Sequence, residues 1–394
     1  MAHNSVAELT RATSPSVLDR ARALRETFRS RIPETDRICR LPDETVADLE
    51  AGGFFKLLTP RRYGGLQMPL YDYMDVIVEL GRADVSVAWT VNLINTNAWM
   101  VGWIFPEFLQ DKVFNSPNSR GSCVLNPQRC IVRDAPGGKL VEYGIWRFNS
   151  GIYHAGWDIV TIPLTDDSGN VVDTGLALVP ISDVKILDDW DTIGVRGSGS
   201  STVELHNVFI PTDHIVPLSH GAGGSTVHPY EDELYHLPFH AATIILELPM
   251  LGGCEAALDI FMSKVHGRPI LHSRYPDSAK APCTHLALGE ATAKIDAAKL
   301  LAKSTFTYIH DKVHNRSPFV PEDFLRMRRD AGLTSMLAWQ GVDLLAEAAG
   351  ASMMSSSHPL NRIWRDVRTG SLHAAQHPSS VFEAYGRGLC GLEP

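Results

Sequence analysis

The sequence predicts an α+β chain in three parts: an N-terminal helical domain over residues 1–118, a central antiparallel β domain over 119–220 and a C-terminal helical bundle over 221–394. Three observations predict it. The pattern is helical from about Val17 to Phe114, turns to short runs rich in Val, Ile, Leu and Thr from about Arg120 to Pro217, and is helical again to the end. At 394 residues the chain is long enough for two to three domains of roughly 100–200 residues each.

In the first part, Asp43 starts a helix with Val46 and Leu49 on one face, closed by Gly52-Gly53. RRYGGL reads as a loop by its glycines. Tyr71–Arg82 reads as a helix that partly buries Tyr73, Val76, Val78 and Leu80. Asp84 is placed to cap the next helix, VSVAWTVNLINTNAWMVGWIF, which carries Trp89, Leu93 and Met100 near one face and meets Pro106 near its end. In the second part, the runs LVEYGIWRF, DIVTIPL, TGLALVPI and STVELHNVFI are separated by the turn clusters PGG, DDSGN and RGSGS, the spacing of a small barrel or sandwich. Ser219–Pro229 is Gly- and Ser-rich and reads as loop or linker. In the third part, Leu288, Ala291, Ile295, Ala298 and Ala302 alternate at three and four residues, a bundle seam whose alanines let helices approach closely.

Composition excludes several classes. Apolar residues at 44% and charged residues at 21% are ordinary globular usage, not a disordered or collagen-like chain. Lys+Arg 36 against Asp+Glu 45 leaves a net charge of −9, contrary to the basic face that nucleic acids or anionic membranes require. The six cysteines are scattered without a CxxC and read as reduced thiols. The N-terminal MAHNSVAELTRATSPS has no apolar signal core. The most apolar stretch, Thr243–Leu251, is broken by Glu247 and Pro249 and falls short of the roughly 20 residues that span a bilayer. A soluble cytoplasmic protein is expected.

Several motifs fail. Gly197-Ser198-Gly199-Ser200-Ser201-Thr202 lacks the third glycine of a dinucleotide fingerprint and precedes a strand where a helix is needed. There is no Walker A pattern and no GxSxG elbow. His236/His240, His310/His314 and His373/His377 each sit four apart, a spacing that can present two metal ligands on one helix face. None carries the Glu of HExxH, and no third ligand lies at a motif spacing, so no metal site is assigned.

Three segments stand out: Trp146–Trp157 (WRFNSGIYHAGW), Trp190–Pro211 (WDTIGVRGSGSSTVELHNVFIP) and His358–Ser379 (HPLNRIWRDVRTGSLHAAQHPS). With PRRYGGL near the start and the closing YGRGLCGLEP, the chain resembles the acyl-CoA dehydrogenase fold superfamily. Within it, the chain most resembles the reduced-flavin-dependent monooxygenases, the oxygenase components of two-component aromatic hydroxylases. The resemblance implies a C-terminal four-helix bundle, flavin between the β domain and the bundle, and a homotetramer. It implies reduced FMN or FADH2 as cofactor, supplied by a separate NAD(P)H-dependent flavin reductase; this chain shows no nicotinamide-binding signature of its own. It implies hydroxylation of a small phenolic or fused aromatic substrate through a C4a-hydroperoxyflavin.

One departure separates the chain from the dehydrogenases. Those enzymes commonly carry a catalytic glutamate eight or nine residues after an Arg-Asp pair; here the pair is Arg365-Asp366 and the place holds His373-Ala374. A histidine there suits deprotonation of, or a hydrogen bond to, a phenol. The resemblance gives that role to His373, with His377 as its rival. It places Ser150 beside flavin N5, with Trp146, Phe148 and Asn149 in the same flavin-contacting segment. A turn serine followed by Gly151, with aromatics packed in a β core, is the alternative. Family members often place a substrate-contacting histidine where this chain has Asn95 and Asn97; these two, with Trp99 and His154, are the candidate substrate contacts. Arg196 and Ser198 belong to a loop near the flavin, or to an ordinary hairpin connection. Arg268 and Arg274 are candidate donors to a flavin phosphate, or solvated surface charges. The asparagines leave room for a related flavin oxygenase acting on nitrogen, sulfur or indole. A dehydrogenase-like flavoenzyme with Glu247 as base, a metal-dependent hydrolase and a flavin-free scaffold complete the alternatives.

Overall fold

The computed structural model describes residues 15–222 and 232–393. Most of the Gly/Ser-rich segment expected as a linker, and most of the N-terminal stretch read for a signal, lie outside the described residues. Among the described residues six helices come first: α1 (Val17–Ser30), α2 (Ile32–Ile38), α3 (Asp43–Ala51), α4 (Leu70–Ala83), α5 (Val85–Ile104) and α6 (Glu107–Phe114). Asp84 caps α5 by accepting from Ser86 N at 2.7 Å, which satisfies one of the free N–H groups of its first turn. The helix ends as the residue before Pro106 turns extended. Asp43 differs from expectation: Pro42 stands at the cap position and Asp43 lies inside the first turn.

Eight strands among the described residues follow: β1 (Gly121–Val124), β2 (Pro127–Ala135), β3 (Gly138–Trp146), β4 (Trp157–Thr165), β5 (Val171–Pro180), β6 (Lys185–Ile186), β7 (Val203–Pro211) and β8 (Ile215–Pro217). They form two four-stranded sheets, ordered β1-β4-β5-β8 and β2-β3-β7-β6. All pairs are antiparallel except β1 with β4, which run parallel. The side-chain period of two divides β4 cleanly: Ile159 joins the core shared with the helices, while Val160 and Ile162 join the core between the sheets. A strand covered on both faces reads as the mostly apolar run DIVTIPL, in which the polar Asp158 and Thr161 are also buried.

After a helical turn, α7 (Ser219–Ala222), come α8 (Ala241–Ile244), α9 (Leu248–Lys264), α10 (Pro282–His314), α11 (Pro321–Ala349), α12 (Pro359–Gly370) and α13 (Pro378–Leu389). On α10 the expected seam holds, with Ala291, Ile295, Ala298 and Ala302 buried and Leu288 partly so. One large apolar core runs from α1 through α4, α5 and the bundle into the first sheet. No helix among the described residues is long and apolar enough to cross a membrane.

Candidate active site

All three parts of the chain meet around Ser150. After β3 the backbone enters the left-handed region at Phe148 (φ 67°) and Gly151 (φ 80°). A phenylalanine with positive φ is uncommon and marks a place where the surroundings dictate the backbone. The turn is held from beneath. Asn97 Nδ2 donates to Ser122 O at 2.5 Å, Ser122 Oγ faces both Asn149 Oδ1 and Ser150 O, and Asn149 Nδ2 donates to Asp158 Oδ2 at 2.7 Å. Burial pushes the Asp158 carboxyl up to about 7, against the opposing pull of its bond from Asn149.

The loop before β7 closes over this turn. Trp190 Nε1 donates to Arg196 O at 3.1 Å, and Val195 N donates to Asp366 Oδ1 of α12 at 2.6 Å. A Cβ on Gly194 would lie 2.2 Å from Arg365 O, and one on Gly197 would lie 2.4 Å from the Thr35 methyl. These two positions take glycine because the loop touches α12 and α2 at backbone distance. On the loop's far side Arg362 is buried among Asp36 (3.1 Å), Asp84 (3.3 Å) and Asp366 (3.1 Å) and donates to Ser86 Oγ at 3.0 Å. Beyond it lies an open groove of about 1230 Å³ whose lining includes Asp36, Arg82, Asp84, Ile193 and Arg362.

The result is a directed chain of hydroxyls. Trp89 Nε1 and Ser150 Oγ lie 3.1 Å apart, Ser150 Oγ and Ser200 Oγ 2.7 Å, Ser200 Oγ and Ser198 Oγ 2.7 Å, and Ser198 Oγ and Val195 O 2.8 Å. An indole N–H only donates and a carbonyl only accepts, so every proton in between points the same way. Ser198 donates to Val195 O, Ser200 to Ser198, and Ser150 to Ser200. Ser150 therefore has its one proton committed and one lone pair free. It can accept from a ligand, but donates to one only by breaking the chain.

Next to this chain stands His373. Its ring centroid is 5.9 Å from that of Trp89, and Trp89, Val195 and Leu246, flanked by Leu93 and Ala375, form a small apolar wall. His373 Nδ1 accepts from Ala375 N at 3.2 Å. Burial lowers its pKa to about 4, so the ring is neutral at pH 7 with its proton on Nε2. In this tautomer Nε2–H is a hydrogen-bond donor, one of the two roles that the resemblance implies for His373.

The chain compares closely with known proteins. Residues 16–104 match the family "Acyl-CoA dehydrogenase, N-terminal domain" and residues 244–378 match "Acyl-CoA dehydrogenase, C-terminal domain". The flavin-dependent monooxygenase oxygenase subunit HsaA of Mycobacterium tuberculosis (strain CDC 1551 / Oshkosh) is 32% identical over 391 residues, 96% of each chain. The crystal structure of 3-HSA hydroxylase from Rhodococcus sp. RHA1 superposes with a TM-score of 0.89 at 28% identity, covering 97% of this chain and 98% of that one. XiaF from Streptomyces sp., in complex with FADH2 and glycerol, gives 0.88 at 27% identity over 96% of each. The chain belongs to the flavin-dependent monooxygenases.

In this monooxygenase the predicted site residues divide sharply. Ser150, Ser198 and His373 converge. Phe148, two residues before Ser150, is 67% exposed, its ring edge-on to Trp190 at 6.2 Å; together they offer an aromatic surface. The others are placed elsewhere. Trp146 is fully buried between the sheets, with Nε1 on Thr161 O at 3.0 Å. Asn149 belongs to the support under the turn. Asn95 holds Leu58 N, Phe54 O and Val91 O (3.1, 2.8 and 2.8 Å), so its amide is fully used within the N-terminal helices. Asn97 is fully buried against Gly121. Trp99 stacks on Trp103 at 4.8 Å and donates to Leu234 O at 2.9 Å; at 1.5 Å per residue it is about 15 Å along α5 from Trp89. His154 is buried, and desolvation with the charges of Arg120 and Arg40 lowers its pKa to about 4. Arg196 pins its own loop through Asp36 O (2.8 Å), Asp191 (2.7 Å) and Cys39 Sγ (2.8 Å). Arg268 donates to Ala349 O in a small basic pocket with Lys264 and His358. Arg274 is exposed and lies over Tyr275. His377 supplies the carbonyl that starts α13. Glu247, the rival base, is fully buried and held protonated by burial and the neighbouring Asp330. Trp89 and Trp190 are the contributors that sequence reading missed as site residues.

Proposed function

We propose that this chain is the oxygenase component of a two-component system that hydroxylates a phenolic or fused aromatic substrate, taking reduced FMN or FADH2 from a separate NAD(P)H-dependent flavin reductase and using O2 through a C4a-hydroperoxyflavin. The observation that carries the reading is the directed chain Trp89–Ser150–Ser200–Ser198–Val195 beside neutral His373. Reduced flavin carries an N–H at N5 and oxidised flavin a bare nitrogen. A hydroxyl with its proton committed and a lone pair free fits the former. Bound there, the flavin supplies the oxygen chemistry and the protein supplies placement and exclusion of water.

Each residue then has a defined task. Ser150 accepts the N5 proton's hydrogen bond and hinders its loss, which keeps oxygen on the flavin. Phe148 and Trp190 flank the ring. Trp89, Leu93, Val195, Leu246 and Ala375 keep water from the reacting edge. His373 Nε2–H holds the substrate oxygen and steadies negative charge as it grows there. A homotetramer belongs to the same reading; Leu286 and Leu300, four turns apart on α10 and largely exposed, supply an apolar face for it.

The test is anaerobic mixing with reduced FMN or FAD followed by oxygen, with and without candidate phenols. The expected result is a near-ultraviolet intermediate that outlives free reduced flavin, and hydroxylated product when a substrate is present. Immediate return to oxidised flavin with stoichiometric peroxide, under both conditions, refutes the reading.

A further inference from the structure

The C-terminal end of α10 carries an unassigned cluster. His310 and His314 are one turn apart, with stacked rings 5.7 Å between centroids. Opposite them stands Glu233, at the start of the 3-10 turn Glu233–His236. Its Oε1 is 2.8 Å from His314 Nδ1 and its Oε2 is 3.5 Å from His310 Nδ1. The three candidate ligand atoms all lie within 4.8 Å of one another. Sequence reading could see the four-residue histidine spacing but not the carboxylate, which arrives from 81 residues before His314.

We propose that Glu233, His310 and His314 form a binding site for a divalent transition metal of the zinc class, which clips the 233–236 turn to the bundle. Two imidazoles and one carboxylate are a donor set for zinc, whereas calcium and magnesium take oxygen ligands. Bonds of about 2.0–2.1 Å in a tetrahedral site put ligand atoms about 3.3 Å apart. The observed 2.8 and 3.5 Å run to the two different oxygens of Glu233 and all three ligand atoms lie within 4.8 Å of one another, so an ion draws them together by up to about 1.5 Å through side-chain rotation. His310 is steadied before the ion arrives: Tyr71 packs edge-on to it at 5.5 Å, and Tyr71 Oη donates to Thr307 Oγ1 at 2.7 Å. His314 is 65% exposed, which leaves the fourth position to water. The clip has something to hold. Asp232, next to Glu233, accepts from Gln67 Nε2 at 2.5 Å, and Leu234 O accepts from Trp99 Nε1 at 2.9 Å. A metal here therefore ties the turn, the N-terminal helices and α10 together.

The experiment uses the full chain, stripped with a chelator and titrated calorimetrically with Zn2+, then with Co2+ as a spectroscopic probe. One zinc per chain at micromolar or tighter affinity is expected, with Ca2+ and Mg2+ not competing. Glu233→Gln should weaken binding at least tenfold, and the double variant His310→Ala/His314→Ala should abolish it. All three side chains are partly exposed, so both variants should fold, as a reduced-flavin binding measurement would check. The cobalt adduct should show tetrahedral d–d bands without a thiolate charge-transfer band. Zinc uptake that is absent in the unsubstituted chain, or equal in the double variant, or a thiolate band from Cys283 or Cys390, overturns the proposal.

Discussion

Replacing Ser150 by alanine separates a hydroxyl that serves the fold from one that serves oxygen chemistry. The substitution removes the acceptor for Trp89 Nε1 (3.1 Å) and the bond to Ser200 (2.7 Å). Trp89 is 6% exposed, and an orphaned buried donor costs about 1–3 kcal/mol. Ser200→Ala also removes two bonds of the chain, to Ser150 and Ser198, so both variants should lose about 2 kcal/mol of unfolding free energy. Their effects on the flavin should differ. Ser150→Ala deletes the hydrogen bond to N5, about 1–3 kcal/mol in a dry site, and at 1.36 kcal/mol per decade the intermediate should decay about 5- to 150-fold faster. Ser200→Ala leaves that bond and removes only the polarisation passed along the chain, about 10–30% of it, so decay should quicken less than about fivefold. Stopped-flow decay of the near-ultraviolet intermediate, with peroxide yield and urea unfolding on the same preparations, gives all the numbers. Equal decay in the two variants, or an unchanged lifetime in a folded Ser150→Ala protein, would refute the reasoning.

Three further outcomes follow from the site's surroundings. Asp158 titrates at about 7 when folded and near 3.9 when unfolded. The unfolded chain releases that proton first, so stability falls as pH rises from about 4 to 7, by up to about 4 kcal/mol; Asp158→Asn should flatten the difference between urea midpoints at pH 5 and pH 8. Arg362→Met leaves Asp36, Asp84 and Asp366 facing one another without their cation, a loss of about 3–5 kcal/mol visible in thermal unfolding, and it should loosen the Val195 anchor and raise peroxide leakage. His373, with its pKa lowered to about 4, should contribute no limb near pH 6.5 to the rate profile. His373→Gln, which keeps a donor, should retain more hydroxylation than His373→Leu.

The three-part fold is legible because each part has its own period. Alternation marks β3 and β7, a 3.6-residue seam marks α10, and the capping residue Asp84 marks the start of α5. The short strands β1, β6 and β8 are not legible. They take their place from pairing with β4, β7 and β5, and a run such as GSCV carries no alternation long enough to count. The parallel pairing of β1 with β4 is invisible for the same reason, since nothing local distinguishes it from a hairpin partner.

The site is less legible than the fold, and the division follows from what each side chain is asked to do. Ser150, Ser198 and His373 stand in segments whose unusual residues carry a resemblance, and they do converge. Asn149 stands in the same stretch as Ser150, and Asn95 and Asn97 on α5, yet every one is used to hold backbone or a buried partner. Sequence shows an amide but not whether its hydrogen bonds are already taken, and a buried amide without partners is expensive enough that most are taken. The same logic runs the other way for Trp89. Its apolar spacing with Leu93 reads as core, and it is core on one side. Its indole N–H, however, has to find an acceptor, and the one it finds is 61 residues away on Ser150. That contact occupies one lone pair of Ser150, while Val195 O at the far end, which can only accept, obliges Ser198, Ser200 and Ser150 each to donate toward it. On the proposed reading, the fit to an incoming N–H thus rests on a packing residue on α5 and a backbone carbonyl, which any test that alters only the serines would miss.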